Sequence, residues 1–207
     1  MKRAVESGSA ACGVSRRQFL KRAAVAGGAV ALPWIVPASA LGRDGAVAPS
    51  ERIVMGGIGI GRRGTHDLRW VIGEPDVQFV ASCDVWCERR EAVKKLVDEK
   101  YGNRDCVLFR DMREFLEKRT DIDALLITTG DRWHAAASVM AMRAGKDVYS
   151  EKPSSMTIAE GQAVVETARR YGRVYQTGTQ RLSEANFVAC NELARLGRLG
   201  QVHTVRA

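Results

Sequence analysis

A glycine loop between a strand-like and a helix-like segment constrains the fold of this chain more than any other feature. The loop consists of Gly59, Ile60, Gly61, Arg62, Arg63 and Gly64. It follows an apolar, β-rich run at Arg52–Ile58 and opens a helical pattern at Thr65–Ile72. In this position the spacing G-x-G-x-x-G is typical of a tight turn whose third glycine lets the helix pack closely on the strand. The loop therefore predicts the first strand, turn and helix of an α/β domain.

The chain continues to alternate between strand-like and helix-like segments. Strands are predicted at Arg52–Ile58, Val77–Cys83, Val107–Phe109, Ala124–Thr128, Asp147–Ser150 and Val174–Thr177. Helices are predicted at Thr65–Ile72, Glu88–Tyr101, Asp111 to about Lys118, Trp133–Ala144 and Thr157–Tyr171. Repeated β-then-α order predicts a parallel sheet with right-handed crossovers. We predict a Rossmann-type, doubly wound parallel sheet over residues 51–180, after a linker at 41–50.

The glycine loop and Asp84 together predict a dinucleotide site. Gly61 allows the backbone to approach a pyrophosphate, and the free N–H groups at the helix start face the phosphates. Asp84 ends the second predicted strand, 20 residues after Gly64. A carboxylate there accepts hydrogen bonds from ribose hydroxyls and repels a 2′-phosphate, which favours NAD over NADP. Four arginines near the loop and Asp84 keep NADP open as the alternative; they are Arg62, Arg63, Arg89 and Arg90.

Residues 1–40 have the features of a twin-arginine export signal. The segment Ser15–Lys21 contains the Arg16-Arg17 pair, a 14-residue apolar stretch follows at Ala23–Val36, and Ala38-Ser39-Ala40 is a small-x-small cleavage site. The apolar stretch is shorter than the roughly 20 residues that span a bilayer. We therefore predict export to the periplasm by the twin-arginine translocase, cleavage after Ala40 and no stable membrane anchor.

Charge and cysteine content argue against two other classes of protein. The net charge of +8 is concentrated in residues 1–40, which carry +5 and leave +3 for the remaining residues. Because basic and acidic residues nearly balance after residue 40, the charge gives little support for binding the phosphate backbone of nucleic acids. The five cysteines form no Cys-x-x-Cys pair and no His cluster accompanies them, so no metal site is predicted.

Two further groups of polar residues follow predicted strands, at the edge of the sheet where ligands of open α/β folds bind. After the buried strand come Thr128, Trp133 and His134, which we predict to contact the cofactor or substrate. For His134 and Trp133 a capping or packing role at the start of the next helix is the alternative. The tripeptide Glu151-Lys152-Pro153 follows the next strand.

These motifs resemble the glucose–fructose oxidoreductase and inositol dehydrogenase family. That family carries Ala-Gly-Lys-x-Val-x-x-Glu-Lys-Pro, and this chain matches it at residues 144–153. The segments Asp131–His134 and Gly178–Arg181 are also similar, and the resemblance runs from about Arg52 to the last residue. It implies an NAD(P)-dependent oxidoreductase acting on a sugar or polyol, with relatives that are often homo-oligomers.

The resemblance implies that Lys152 transfers the proton during hydride transfer and that Glu151 belongs to the cofactor site. An alcohol releases a proton as well as a hydride, so a base must lie beside the hydroxyl. A partly desolvated lysine near the positive nicotinamide ring is a better base than a solvated one.

The resemblance also implies that residues 181–207 begin a second, α+β substrate domain, with a helix at Ser183–Leu196 and a strand at Gly200–Ala207. Only this first helix and strand are present, so we expect the 207 residues to be a truncated form that binds cofactor without a complete substrate site. Two alternatives remain open. One is an NAD-dependent glycoside hydrolase of the same fold, and the other is a non-catalytic nucleotide-binding fragment.

Overall fold

The computed structural model describes residue 42 and residues 47–204. The strands in this part are β1 (Ile53–Ile58), β2 (Val77–Cys83), β3 (Val107–Phe109), β4 (Ala124–Ile127), β5 (Asp147–Glu151) and β6 (Tyr175–Gly178). The helices are α1 (Arg62–Val71), α2 (Cys87–Tyr101), α3 (Met112–Lys118), α4 (Asp131–Arg143), α5 (Ile158–Tyr171) and α6 (Ala185–Arg195). Short 3₁₀ turns lie at Pro49–Glu51 and Gln180–Leu182.

The six strands form one sheet in the order β3-β2-β1-β4-β5-β6, and every paired strand is parallel. The chain winds outward from β1 to β3, then returns to the other side of β1 for β4. This order is the doubly wound arrangement of the Rossmann fold, whose ligand site lies where the strand order reverses. The predicted α/β fold class is therefore confirmed.

Two apolar layers hold the helices against the sheet. On one face α1 and α2 pack over a cluster that includes Met55, Leu68, Phe79, Val97 and Leu126. On the other face α3, α4 and α5 cover a second cluster, with Ile58, Phe115, Leu125, Met142 and Val164 among its members. Consecutive residues of β4 point to opposite clusters, so the strand is apolar at every position, as a strand buried on both faces requires.

Local signals explain most helix ends. Asp111 accepts a hydrogen bond from the N–H of Arg113 at the start of α3, and Thr157 forms a reciprocal capping box with Glu160 at the start of α5. Gly102 and Gly172 end α2 and α5 in the left-handed conformation that glycine adopts without strain. Each of these caps depends on one or two residues that are close together in the sequence, so it can be recognised from the sequence alone.

The last part of the chain differs from the sequence prediction. The predicted helix at Ser183–Leu196 forms as α6, but residues 200–204 form no strand, and residues 205–207 lie outside the described part. The predicted strand at Gly200–Ala207 is therefore wrong for the positions that the structure describes. The family resemblance implied the strand, but a strand also needs a partner to pair with, and no strand pairs with this segment in the described residues.

The predicted export signal at residues 1–40 lies outside the described residues. Among the helices that are described, none is long and apolar enough to cross a membrane.

Candidate cofactor-binding site

The glycine loop lies at the carboxyl end of β1, and its three glycines differ in what an added side chain would meet. Gly59 has a φ of +72°, and its N–H donates to the carbonyl of Cys83 on β2 over 2.8 Å. A Cβ on Gly64 would collide with the Thr128 side chain, so only glycine lets α1 approach β4 this closely. A Cβ on Gly61 would meet only the guanidinium of Arg89, at 3.6 Å. The face of Gly61 is therefore open to a ligand.

Helix α1 begins directly after this open glycine. Gly61 is its N-cap, and no side chain caps the first turn. The N–H groups of a first helical turn have no partner within the helix, and they carry the positive end of the helix dipole. The start of α1 is therefore free to accept an anion, and Gly61, Arg62 and Arg63, which were predicted at the cofactor site, lie there.

Asp84 follows β2 and is the buried acid of the site. The residue is 6% exposed. Its Oδ1 accepts a hydrogen bond from the N–H of Trp86 at 2.9 Å, whereas its Oδ2 is buried and has no hydrogen-bond partner in the described residues. Burying an unpaired carboxylate oxygen is unfavourable, so a free acceptor here fits a ligand hydroxyl. Asp84 also lines an open pocket together with Gly59, Trp86, Met112 and Trp133.

Three residues predicted at the cofactor site occupy different positions relative to this pocket. Trp133 lines the pocket and is 48% exposed. Ile60 is buried in the apolar layer under α1, so only its backbone belongs to the loop. Thr128 is also buried, and its hydroxyl donates to the carbonyl of Gly59 over 3.2 Å. Ile60 and Thr128 thus support the loop from below.

His134 is 1% exposed and joins the two polar segments that follow β4 and β5. Its Nδ1 lies 2.7 Å from the carbonyl oxygen of Pro153, and its Nε2 lies 3.0 Å from that of Thr129. Both ring nitrogens are therefore engaged by backbone groups. Of the two roles that the sequence left open for His134, this geometry fits the packing role, in which the ring positions the backbone beside Lys152.

Glu151 ends β5 and is held by groups from three directions. Its carboxylate accepts hydrogen bonds from Nε of Arg63 at 3.3 Å, from the N–H of Lys152 at 3.0 Å and from the side-chain amide of Gln180. Asp67 on α1 lies near the same carboxylate, and its Oδ1 lies 2.9 Å from Nη2 of Arg63. Glu151 is 4% exposed, so its side chain is a buried anchor for the tripeptide.

The pKa values of the two buried carboxyl groups are shifted in opposite directions. Burial raises the pKa of Asp67 to about 6; the charge of Arg63 opposes this rise, and the neighbouring Glu151 adds to it. Burial also acts to raise the pKa of Glu151, but hydrogen bonds from Gln180, Arg63 and the Lys152 N–H outweigh it and lower the pKa below its usual value. Asp67 is therefore the first of the two carboxyl groups to take up a proton as the pH falls.

Lys152 lies between Glu151 and Pro153, whose backbone contacts His134. Its backbone N–H donates to Glu151, and the carbonyl of the next residue, Pro153, contacts His134. The Lys152 side chain is exposed, so the described residues do not supply the desolvation that the sequence argument invoked. Lys152 is thus a lysine with a fixed backbone and a solvated side chain at the carboxyl edge of the sheet.

The family model that matches residues 52–179 is that of the Gfo/Idh/MocA oxidoreductases, described as an oxidoreductase family with an NAD-binding Rossmann fold. This chain belongs to that family.

Curated relatives agree with this membership. The chain is 30% identical over 146 residues to inositol 2-dehydrogenase of Salmonella typhimurium, a match that covers 70% of this chain and 42% of the relative. It is 31% identical over 172 residues to an α-N-acetylgalactosaminidase of Shewanella oneidensis, covering 76% of this chain and 37% of the relative. The chain therefore spans less than half the length of these Gfo/Idh/MocA relatives.

A solved structure with the same fold contains a bound cofactor. Scyllo-inositol dehydrogenase from Lactobacillus casei, crystallised with NAD(H) and scyllo-inositol, superposes with a TM-score of 0.63 at 22% identity. The superposition covers 72% of this chain and 43% of that one. At this identity the likeness supports the Gfo/Idh/MocA fold alone.

Sequence reasoning missed Asp67 and gave Gln180 no role of its own. Asp67 was detectable, because it falls on the same helical stripe as Gly64, Leu68 and Val71, which faces the sheet. An acid on a buried stripe needs a partner. Its ion-pair partner, Arg63, lies four positions earlier and was detectable too. The neighbouring acid, Glu151, is 84 positions away, and no local pattern could identify it.

The remaining reactive groups in the described residues give no second centre. No group of three or more His, Cys, Asp or Glu side chains between residues 47 and 204 is arranged to hold a metal ion. Burial raises the pKa of the Cys83 thiol to about 12 and that of Cys106 to about 11, so both remain protonated at neutral pH.

Proposed function

We propose that this protein is an NAD-dependent oxidoreductase that moves a hydride between nicotinamide and a carbon atom of a sugar or polyol. The observation that carries the proposal is the buried Oδ2 of Asp84, which accepts no hydrogen bond in the described residues and lies at a pocket beside the open glycine loop. This acceptor and the uncapped start of α1 are the two contacts that the adenosine ribose and the pyrophosphate of NAD need.

In the proposed complex, backbone N–H groups at Gly61 and the first turn of α1 hold the pyrophosphate, and Asp84 holds the ribose. The nicotinamide supplies the hydride acceptor, and the protein supplies position and proton transfer. Lys152 is the residue proposed to take the substrate proton, because its backbone is fixed between Glu151 and the carbonyl bonded to His134. Because the backbone is fixed on both sides of Lys152, its amine can reach only a limited volume. A general base must be held within hydrogen-bond distance of the proton that it removes.

The experiment compares NAD reduction by the protein with a complete substrate domain and by two lysine variants of it, with myo-inositol, scyllo-inositol and glucose as substrates. Lys152→Ala should abolish NADH formation and leave NAD affinity within about threefold, because the lysine acts on substrate rather than on the pyrophosphate. Lys100→Ala removes an exposed lysine in the last turn of α2 and should leave both properties unchanged. Full activity in Lys152→Ala would overturn the role of Lys152, and NAD binding without any turnover would favour the non-catalytic alternative.

Glycoside hydrolysis is a second candidate because one relative is an α-N-acetylgalactosaminidase. The Glu151-Lys152-Pro153 segment resembles the dehydrogenases and favours the oxidoreductase. Release of nitrophenol from p-nitrophenyl α-N-acetylgalactosaminide, without net NADH formation, would support the hydrolase and contradict the oxidoreductase.

Export remains part of the proposal. The order of Arg16-Arg17, apolar stretch and Ala38-Ser39-Ala40 supports passage through the twin-arginine translocase, which carries folded proteins. A cofactor can then be loaded before export. Edman sequencing of periplasmic protein should begin at Leu41, and replacing both arginines with lysine should keep the protein in the cytoplasm. A further proposal, from the relatives, is that the protein forms a homo-oligomer.

A further inference from the structure

The guanidinium of Arg63 joins helix α1 to the end of β5. Arg63 lies in the first turn of α1, beside the position expected for the pyrophosphate. Its side chain reaches two buried carboxylates, because Nη2 lies 2.9 Å from Oδ1 of Asp67 and Nε lies 3.3 Å from Oε1 of Glu151. One side chain therefore contacts an acid in the middle of α1 and an acid at the strand end that precedes Lys152.

Glu151 connects this guanidinium to the backbone of Lys152. While its Oε1 faces Arg63, its Oε2 accepts a hydrogen bond from the Lys152 N–H at 3.0 Å. The side-chain amide of Gln180 also donates to Oε1. Three consecutive contacts therefore lead from Asp67 to Arg63, from Arg63 to Glu151 and from Glu151 to Lys152.

The charge of Asp67 is unfavourable for folding. The residue is 3% exposed, and burial raises its pKa to about 6, so its ionised form lowers the stability of the folded protein at neutral pH. Asparagine has nearly the same shape and carries no charge, so packing does not require an acid at this position. Groups that lower stability in this way are typical of functional positions.

A bound cofactor would compete with Glu151 for Arg63. A pyrophosphate at the start of α1 places an anion beside the Arg63 guanidinium, whose side chain is 47% exposed. Without Asp67, the single contact at 3.3 Å to Glu151 would have to hold the guanidinium against that anion. With Asp67, the far nitrogen of Arg63 is held on the side away from the helix start.

We propose that Asp67 is a positioning residue that keeps Arg63 on Glu151 while the cofactor is bound, and so fixes the backbone at Lys152. Asp67 touches neither the cofactor nor the substrate and acts through the two residues between it and Lys152. This inference rests on the proposed function, because it treats Lys152 as the base and the start of α1 as the pyrophosphate site.

The test is the rate of hydrogen exchange at the Lys152 backbone N–H, measured by NMR on the full chain at pH 7.5. Asp67→Asn should speed exchange about fivefold, the effect of losing one partly exposed ion pair, and added NAD⁺ should increase that ratio. Arg63→Gln should speed exchange at least as much. The double variant should exchange no faster than Arg63→Gln alone, because Asp67 acts through Arg63.

Glu74→Gln is the matched control. Glu74 is an exposed acid in the turn after α1 and lines the same pocket as Asp67, so its replacement reports the effect of removing a negative charge alone. It should change the exchange rate less than about twofold. Thermal unfolding of each variant excludes global unfolding as the cause, since Asp67→Asn should be more stable than the unmodified chain while its Lys152 N–H exchanges faster.

The effect should also depend on pH. The charged and titratable groups that face Asp67 are Arg63 on α1, Tyr149 and Glu151 on β5, and Glu74 in the turn after α1. As the pH falls through about 6, Asp67 takes up a proton and loses its charge attraction for Arg63. The exchange ratio between Asp67→Asn and the unmodified chain should therefore fall below about twofold at pH 5.

Three exchange results would overturn the inference: equal rates in Asp67→Asn and the unmodified chain, a double variant faster than Arg63→Gln, or a ratio that does not change with pH. If NAD⁺ binds normally in such a case, the proposed function stands. An unmodified chain that binds no NAD⁺ would overturn the proposed function and, with it, the competition for Arg63.

Turnover gives the functional readout. In the protein with a complete substrate domain, Asp67→Asn should lower kcat about fivefold and leave KM for the polyol within about twofold, because Lys152 is misplaced while substrate contacts are kept. An unchanged kcat would overturn the role of Asp67 in positioning Lys152.

Discussion

Replacing Asp67 with asparagine should stabilise the protein at neutral pH, although it removes one member of an ion pair. The pKa of Asp67 is raised, chiefly by burial, from 3.8 to about 6. Because the folded state holds this proton more tightly than the unfolded state, the contribution of Asp67 to stability is complete below pH 3.8. It is lost as the pH rises through 6. The free energy of unfolding should therefore fall across the window between about pH 4 and 6.

The size of the effect follows from this pKa difference. About two pH units correspond to roughly 3 kcal/mol, an upper limit for what ionising Asp67 costs the folded state at pH 7.5. The asparagine side chain would lose the contact with Arg63, whose side chain is 47% exposed, and such a contact is worth at most about 1 kcal/mol. We expect a net gain of about 2 kcal/mol.

Urea unfolding of the protein and the variant between pH 4 and 8 measures this difference. At pH 7.5 the variant should unfold roughly 4–8 °C higher in a parallel thermal scan, and its stability should vary less with pH between 4 and 6. Asp105→Asn is the matched control, because Asp105 is exposed on the loop before β3, and it should change stability by less than about 0.5 kcal/mol. A less stable Asp67→Asn protein at pH 7.5, or an unchanged pH slope, would refute the raised pKa of Asp67.

Two further substitutions test the support of the site. Gly64→Ala should destabilise the protein by about 1–3 kcal/mol, because the added methyl group collides with Thr128. Urea unfolding measures this change. An unchanged unfolding midpoint would contradict the close packing of α1 on β4. His134→Ala should lower the free energy of unfolding by about 2–4 kcal/mol, because it leaves a buried cavity and removes the ring that contacts two backbone carbonyls. His134→Gln should recover part of that loss. Equal stability of the two His134 variants would argue against the carbonyl contacts.

The strands and most helices of this fold could be predicted because each depends on local chemistry. Residues 124–127 are apolar at consecutive positions, and the capping box at Thr157 needs only two side chains three positions apart. The start of α1 was predicted at Thr65 but lies at Arg62. The reason is that the N-cap is Gly61, which has no side chain to mark the boundary.

The glycine loop could be predicted from the sequence, whereas the side-chain contacts beneath it could not. Gly59, Gly61 and Asp84 occupy the positions that their spacing indicated. The placement of His134 between two carbonyls depends on the pairing of β4 with β5, which no segment encodes alone. The contact between Asp67 and Glu151 likewise depends on α1 lying over the end of β5. Side chains that join distant strand ends are thus the part that needs a three-dimensional structure.

Binding of NAD to the full chain is the most direct test of the proposed cofactor site. Calorimetric titration of the unmodified protein and of Asp84→Ala, with both checked for folding by circular dichroism, compares the site with and without its ribose acceptor. The account predicts one NAD per chain and a Kd at least about tenfold higher in the variant, because the 2′-hydroxyl loses its charged acceptor. No binding by the folded, unmodified protein, or equal affinity in the variant, would contradict the assignment of this pocket to NAD.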